Sequence, residues 1–583
     1  RCSARPVSAN RLQPAALTTF VGGLNLRESQ FQLDPNESPD LLNVDVDPRG
    51  GFTTRRGWRR WNDVDIHDVS DPSMDFMPRN AFWHNRVAGQ LIYVTHNNQM
   101  CRGDMSGAFT SLLVGQCNAE PHMADWAVWG EQMYSVLGYS NAPVRFEADL
   151  SMTTMTPGPY SEVDAPTFNV MPPAQHIRGH AGYMFVANIF EAGATHPNRV
   201  RWSHPNRPDS FRDEDYLDIE IGGGKITGML SFRDHLLIFK TNSLWALYGY
   251  DSESWQLTKV SAWIGAPCST AITASETAVY FYSANDVGGI YGYTGEAPTH
   301  LSENLSPAFE EITAYENVFV SWAGRRLWIS TPWVKDSVLQ RTPPVAPTTK
   351  GRHSRRATGQ STTWPVTLFV ADPDVGQGAW TMYVSKYGAV APVVDGSDVN
   401  ATFPLGFMWA KDMAIAITLD AIEDSYDDLL NTVDHEEFDS FYRTPWMNMN
   451  QPDTKKSWKR PRMICPRVPR DTEVIIETFH DYDETFARRT RTITIPSLGS
   501  AYWTAGGADD VANHGFDWTE LGAADPRGAN WGTEHIGSVM IRGGSMGIAS
   551  AVQMRFSRSP NTPRRKWGVD AVVIKPIGRR ERT

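Results

Sequence analysis

The chain has 583 residues, a net charge of -12, 21 tryptophans, 46 glycines, 38 prolines and a charged fraction of 21%. That length builds several cores rather than one, and the acidic balance disfavours a dedicated duplex-DNA binder with a phosphate-neutralising face. Aromatic runs punctuated by Gly and Pro are an all-β composition, because helical chains of this size carry more Ala, Leu, Glu and Lys.

Residues 1–78 are expected as an N-terminal strand and assembly segment. Within them, 22–61 reads GGLNLRESQFQLDPNESPDLLNVDVDPRGGFTTRRGWRRW. This pattern predicts a strand, an Asn/Pro turn, a capped turn at Ser38-Pro39-Asp40 and a second strand closed by Gly50-Gly51. The first thirty residues lack the apolar core of a signal peptide, and no run reaches the roughly 20 apolar residues of a membrane helix. The expectation is a soluble protein, unexported by the usual route. Cys2, Cys101, Cys117, Cys268 and Cys465 are scattered without CxxC spacing, which predicts reduced, packed thiols made in a cytoplasm.

From about residue 80 a unit recurs: a short β-rich run, a Gly or Asn/Asp turn, and a second aromatic run. It is read at 82–102, 124–146, 180–202, 226–257 and 269–300, and a sixth time from 318, resuming near 367. Units of roughly 40 to 50 residues with three or four short antiparallel strands predict the blades of a β-propeller, which bury their faces only against neighbouring blades. The predicted fold is therefore all-β, with a propeller of five to seven irregular blades over 79–420. A string of immunoglobulin-like sandwiches competes, but no Cys-Trp-Cys framework supports it.

Residues 336–360 interrupt the repeat with Pro, Thr, Ser and a basic cluster, Lys350, Arg352, Arg355 and Arg356. They read as an exposed loop inserted into a blade, either a plain surface insertion or a contact with a partner or DNA. The acidic segment around 421–441 carries a brief helical signal. Beyond it, TEVIIETFHDYDE and RRTRTITI predict a strand pair, and SAVQMRFSRS and KWGVDAVVIKPI two further strands. They define a C-terminal β-sandwich-like domain over 421–583.

No coherent catalytic site emerges. His176 and His180 in HIRGH have zinc spacing only on a helix, and Gly179 and Gly182 predict a turn before a strand instead. His435 with Asp434, Glu436 and Glu437 reads as a solvated helix face. Asp481 and Asp483 in HDYDE could share a strand face, but a surface pair at a strand end is the simpler reading than a glycosidase pair. Gly222–Gly224 in IGGGK lack the spacing and the following helix of a P-loop. The chain is expected to be no enzyme and to hold no catalytic residues, metal or cofactor.

The phrase at 22–61 resembles the opening of propeller-bearing bacteriophage tail proteins, with its GGLN start, its NESPDLLNVDVD middle and its Arg run to Gly-Trp. A second match lies at 236–293, where LLIFKTNSLW, a Gly at 265 and GIYGY follow the same rhythm. Within that group the chain is most similar to the nozzle, or tail tubular protein B, of short-tailed phages. The resemblance implies a homohexameric virion ring lining the genome-ejection channel below an adaptor ring. It implies tail fibres as neighbours, transient passage of double-stranded DNA, host-surface contact, and assembly in the host cytoplasm. The alternatives are a trimeric minor tail or tip-hub protein of a long-tailed phage, or a receptor- or glycan-binding module using exposed Trp beside carboxylates.

Overall fold

The computed structural model describes residues 15–60, 78–114, 124–155, 168–333, 367–383, 389–418, 428–436, 438–495 and 538–578, with short interruptions inside several of these spans. Among them, seven sheets follow one another along the chain. They lie at 78–114, 125–154, 174–218, 226–261, 272–300, 319–383 and 389–418, and are blades 1 to 7 here. Consecutive strands of a blade pair antiparallel. Many turn tightly, as at Ala181-Gly182, where φ values of 48° and 81° suit a two-residue hairpin.

The inner strands are Pro78–His84, Asp125–Trp129, Ala174–His180, Ile226–Phe232, Ile272–Ala274, Phe319–Ala323 and Ala389–Val394. They pack on one another in that order, the step from blade 4 to blade 5 running through the 3-10 turn Ser269–Ala271, and the last returns to the first. The ring is closed, and the fold is a seven-bladed β-propeller with an additional β domain. The units at 82–102, 124–146, 226–257 and 269–300 coincide with blades 1, 2, 4 and 5. The unit at 180–202 begins one strand late, because Ala174–His180 is itself the inner strand of blade 3. The interrupted sixth unit is blade 6, whose second and third strands pair across the insertion at Thr331 and Thr367.

Blade 7 takes its fourth strand from the N-terminal segment. Arg59 pairs with Thr418 and Arg60 with Ile417, so chain ahead of blade 1 closes the last blade. Outside it, Leu429 runs parallel to Arg59, and Asp428–Leu429 pairs with His435–Glu436. The helix expected around 421–441 is therefore corrected: 428–429 and 435–436 are a strand pair, and the described residues 438–441 hold no helix. A lone short helix is marginal in water, whereas an open strand edge supplies partners for the backbone.

The second β body is built from both ends of the chain. One sheet has the order Asp40–Leu42, Phe441–Arg443, Val552–Arg558, Thr472–His480, Arg489–Ile495; another runs Ala15–Leu17, Ala571–Ile574, Arg462–Pro466, Ser538–Arg542. The predicted pair at 472–495 forms with Thr472 opposite Ile495. Its first strand alternates as a half-buried strand must, with Val474 and Ile476 buried and Glu473 and Ile475 less so. A single apolar cluster runs from Phe20, Phe52, Tyr442 and Trp567 in this body to Tyr282 and Trp380 in blades 5 and 6 and Phe309 on the short helix between them.

Side chains lace the blades together. Asn80 Nδ2 donates to Ala124 O at 2.9 Å, and Asp125 accepts from Ile177 N at 3.2 Å and Arg178 Nη1 at 3.0 Å. His180 Nδ1 lies 2.8 Å from Ser231 Oγ, Tyr293 OH lies 3.2 Å from His235 Nε2, and Trp322 N donates to Thr273 Oγ1 at 3.0 Å. Burial would raise the Asp125 carboxyl, but Arg178, His176 and the Ile177 N–H reverse this and hold it below the usual range.

Burial, with Arg86 beside it, lowers the His84 imidazole to about 4, against a small opposing pull from Glu131. Burial also lowers His180, His300 and His480. Between about 4 and the ordinary 6.5 for His84, and just below 6.5 for the others, the unfolded chain binds protons that the folded one refuses, so stability falls as the pH drops below 6.5. Asp215 and Asp570, raised by burial, oppose this at the acid end. Melting followed by circular dichroism should give a lower Tm at pH 5 than at pH 7.5, and His84→Phe should flatten the slope. Equal Tm values at the two pH values would contradict the buried neutral imidazoles.

Candidate functional site

The segment 20–58 lies between the propeller and the second β body, and its polar residues make the joint. Gly23 sits at φ 63° against the outer strand of blade 6, where a Cβ would come 2.6 Å from Trp380 N. Leu24 and Ser38 then form a parallel pair of short strands extending that blade. Asn25 Nδ2 donates to Glu37 Oε1 at 3.0 Å, and Asn25 Oδ1 accepts from Arg27 N at 3.0 Å. Ser38 Oγ caps its own turn with Asp40 N at 3.2 Å and donates to Arg443 O in the second body at 2.7 Å. The turn at Ser38-Pro39-Asp40 and the hairpin closed by Gly50-Gly51, with Asp47 N donating to Gly51 O at 2.7 Å, match the sequence reading.

Asn43 is the centre of this joint. Its N–H donates to Met382 O of blade 6 at 2.8 Å, its Nδ2 to Asp439 O of the second body at 2.7 Å, and its Oδ1 accepts from Arg55 Nε at 3.0 Å. Arg55 is 1% exposed. Its guanidinium lies 4.0 Å from the Trp58 ring centroid and 3.7 Å from that of Phe438, and Nη1 donates to Arg56 O at 2.8 Å. Asn43 adopts φ 51°, a left-handed conformation that Asn tolerates better than most side chains. Asp45 extends the contact by accepting from Tyr383 OH, and from Arg326 Nη1 at 3.4 Å.

The residues singled out for chemistry are mostly occupied with structure. His176 and His180 lie on the inner strand of blade 3, and the expected turn follows at Ala181-Gly182, ahead of the strand Tyr183–Glu191. Strand rise, about 3.3 Å per residue, separates two residues four apart too far for a shared metal ion. His176 faces Asp125 at 3.7 Å and His180 faces Ser231. Among the described residues no three His, Cys, Asp or Glu side chains gather as a metal site. Asp481 and Tyr482, at φ 53° and 65°, form the turn that ends Thr472–His480. Asp481 Oδ1 accepts from Ser550 N at 2.6 Å, while Asp483 accepts from Thr485 N at 3.0 Å and pairs with Arg488 at 3.1 Å. Asp434 and Glu437 lie outside the described residues, as do Lys350, Arg352, Arg355 and Arg356.

Lys240 was visible in the quoted strand without a role, and Lys456 was not singled out at all. Lys240, in LLIFKTNSLW, is fully buried and donates to Glu220 O and, at 2.6 Å, to Gly222 O, so the glycine run of IGGGK wraps an ammonium rather than a phosphate. Burial pulls that ammonium below the ordinary lysine range. Gly265 has no room for a side chain, since a Cβ would lie 2.2 Å from Lys240 O. Lys456 repeats the device in the second body, donating to Gln451 O, Thr454 O at 2.9 Å and Ser550 O at 3.1 Å. For Lys240, a lysine closing the apolar strand HLLIFK is the signal for such a cage.

In an antiparallel blade, the turn between the second and third strands emerges on the same side as the connection to the next blade. Thr331 and Thr367, which pair at the ends of the second and third strands of blade 6, therefore lie on the same face of the propeller as Trp263, in the connection from blade 4 to blade 5. Trp263 is 78% exposed, and among the side chains described it is the one mainly exposed tryptophan; Trp58, Trp126, Trp328, Trp380, Trp458 and Trp567 are fully buried. Cys101, Cys268 and Cys465 are buried free thiols. No described helix is long and apolar enough to cross a membrane.

The architecture defines a β-propeller scaffold locked to a second β body. No protein-family model matches the chain, and no curated protein does. Solved structures similar to it include YCF48 bound to a D1 peptide, at 7% identity and a TM-score of 0.36, covering 65% of this chain and 98% of that one. The Pan2 WD40 domain of Neurospora crassa gives 7% identity and a TM-score of 0.37 over 63% and 97%, and the N-terminal domain of Nup159 gives 8% and 0.34 over 65% and 98%. The propeller assignment rests on the sheet order and ring closure themselves.

Asn43→Ala should lower stability by about 3 kcal/mol in urea unfolding, since it strands Arg55 and the Asp439 carbonyl in the interior. Asn43→Gly, which relieves the left-handed backbone, should lose roughly 1 kcal/mol less. Equal stability of wild type and both variants would remove Asn43 from the joint.

Proposed function

We propose that the chain is a non-enzymatic structural protein of a bacteriophage tail, assembled into a ring around the channel through which the genome leaves. The observation that carries the reading is the segment 22–61. The same residues that resemble the opening of tail nozzle proteins make the Asn43–Arg55 joint and close blade 7 with Arg59–Arg60. A part that must hold its shape under the pressure of passing DNA needs its two β bodies fixed to each other.

The composition supports this reading. Most described tryptophans are core, which favours a scaffold over a glycan-binding surface, where Trp would be exposed beside carboxylates. A net charge of -12 gives passing DNA little to adhere to. In this reading the partners are further copies of the chain, an adaptor ring above, fibres beside it and host-surface components below. The insertion bearing Lys350, Arg352, Arg355 and Arg356 is its contact with a partner or with DNA.

Electron-microscope class averages of the purified protein and of virions test the proposal. Sixfold rings on the tail axis are expected. Threefold particles at a tail tip would replace the nozzle with a minor tail or hub protein, and dispersed monomers absent from the tail axis would overturn the structural role.

A further inference from the structure

Two exposed sheet edges carry opposite charge. The outer strand of blade 3, Arg207–Asp218, is the last strand of its sheet. Its first half is buried, and Phe211 bridges to Asn169. From 212 onward the edge is open among the described residues. It presents Asp213, Glu214 and Asp215 against the single Arg212, with Tyr216 42% exposed among them, while Asp218 pairs with Arg199 of the neighbouring strand at 2.8 Å. The outer strand of the five-stranded sheet, Arg489–Ile495, is likewise the last of its sheet, and its first four residues are exposed. The strand itself carries Arg489 and Arg491 and no acid, while Arg488 just before it pairs with Asp483 at 3.1 Å.

Both edges keep backbone N–H and C=O groups outward, which is the usual template for adding a strand from another chain. Like-charged edges repel copies of themselves, whereas these two complement each other. They cannot meet within one molecule. The second β body is fixed to the outer strand of blade 6, and blade 3 lies three blades away around a seven-bladed ring, on nearly the opposite side of the propeller.

We propose that the basic edge Arg489–Ile495 of one subunit docks along the acidic edge at 212–218 of the next copy of this chain. Because the two patches differ and lie on opposite sides, the contact is heterologous and repeats head to tail; it closes into a ring when the rotation per subunit divides the circle. This rests on the ring-forming reading above and assigns its subunit interface.

A charge swap tests it on the full chain. R489E/R491E makes both edges acidic, and D213K/E214K makes both edges basic. Sedimentation velocity should show wild-type assembly, at least about tenfold weaker association of either variant alone, and recovery when the two variants are mixed, since each then supplies the edge the other has lost. Unchanged melting of each variant checks folding, and single variants R491E and E214K replace any pair that fails it. Amide exchange at 212–218 and 489–495 should slow on assembly. If both variants form wild-type assemblies, the edge contact is overturned while the ring reading stands; if wild type forms no assembly at any concentration, both fall.

Discussion

The arrangement depends on one buried charge. Taking a guanidinium out of water is costly unless every donor finds a partner, and Arg55 is placed where Asn43 Oδ1, a backbone carbonyl and two aromatic faces meet it. Those partners come from the N-terminal segment and, through Phe438, from the far end of the chain. The propeller enters through Asn43 N–H and Met382 O. Shifting either body against the other would leave a buried charge and several backbone groups unpaired, so the geometry is specified by polar satisfaction as much as by the apolar cluster around it.

The same segment also determines propeller closure. Arg59–Arg60 completes blade 7 from a point in the chain ahead of blade 1, so opening the ring means unpairing the piece that also holds the second body. Three contacts in series, at Gly23 on blade 6, at Asn43 in the joint and at Arg59 on blade 7, make the N-terminal segment a strap across the whole subunit. Caged lysines serve locally where connections cross: Lys240 holds the passage from blade 3 to blade 4, and Lys456 gathers three loop carbonyls of the second body. Each exchanges water around an ammonium for carbonyl oxygens, which keeps an irregular loop in one conformation.

Much of the fold was legible in the sequence because blades announce themselves by period: aromatic strands, a Gly or Asn turn, another strand. Blade 4 could be read almost residue for residue, since HLLIFK and LWALY are continuous apolar runs flanking a polar turn. The inner strand of blade 3 escaped because AQHIRGH has polar residues throughout. Their burial is satisfied by blades 2 and 4, which no local pattern reports. The acidic run near 428–436 read as helix because spacing says nothing about an open strand edge waiting beside it. The joint was present in the quoted phrase, but the roles of Asn43 and Arg55 are set by Met382 and Phe438, more than 300 residues away. The basic insertion was recognisable as an insertion, and its place between two strands of blade 6 follows from the pairing of Thr331 with Thr367.

The central claim is that the propeller and the second β body are one mechanical unit held by the N-terminal strap. Differential scanning calorimetry of the intact chain tests it most directly. A single transition, with calorimetric enthalpy equal to the van't Hoff value, is the predicted result; two separable transitions, the propeller and the second body melting independently, would contradict it.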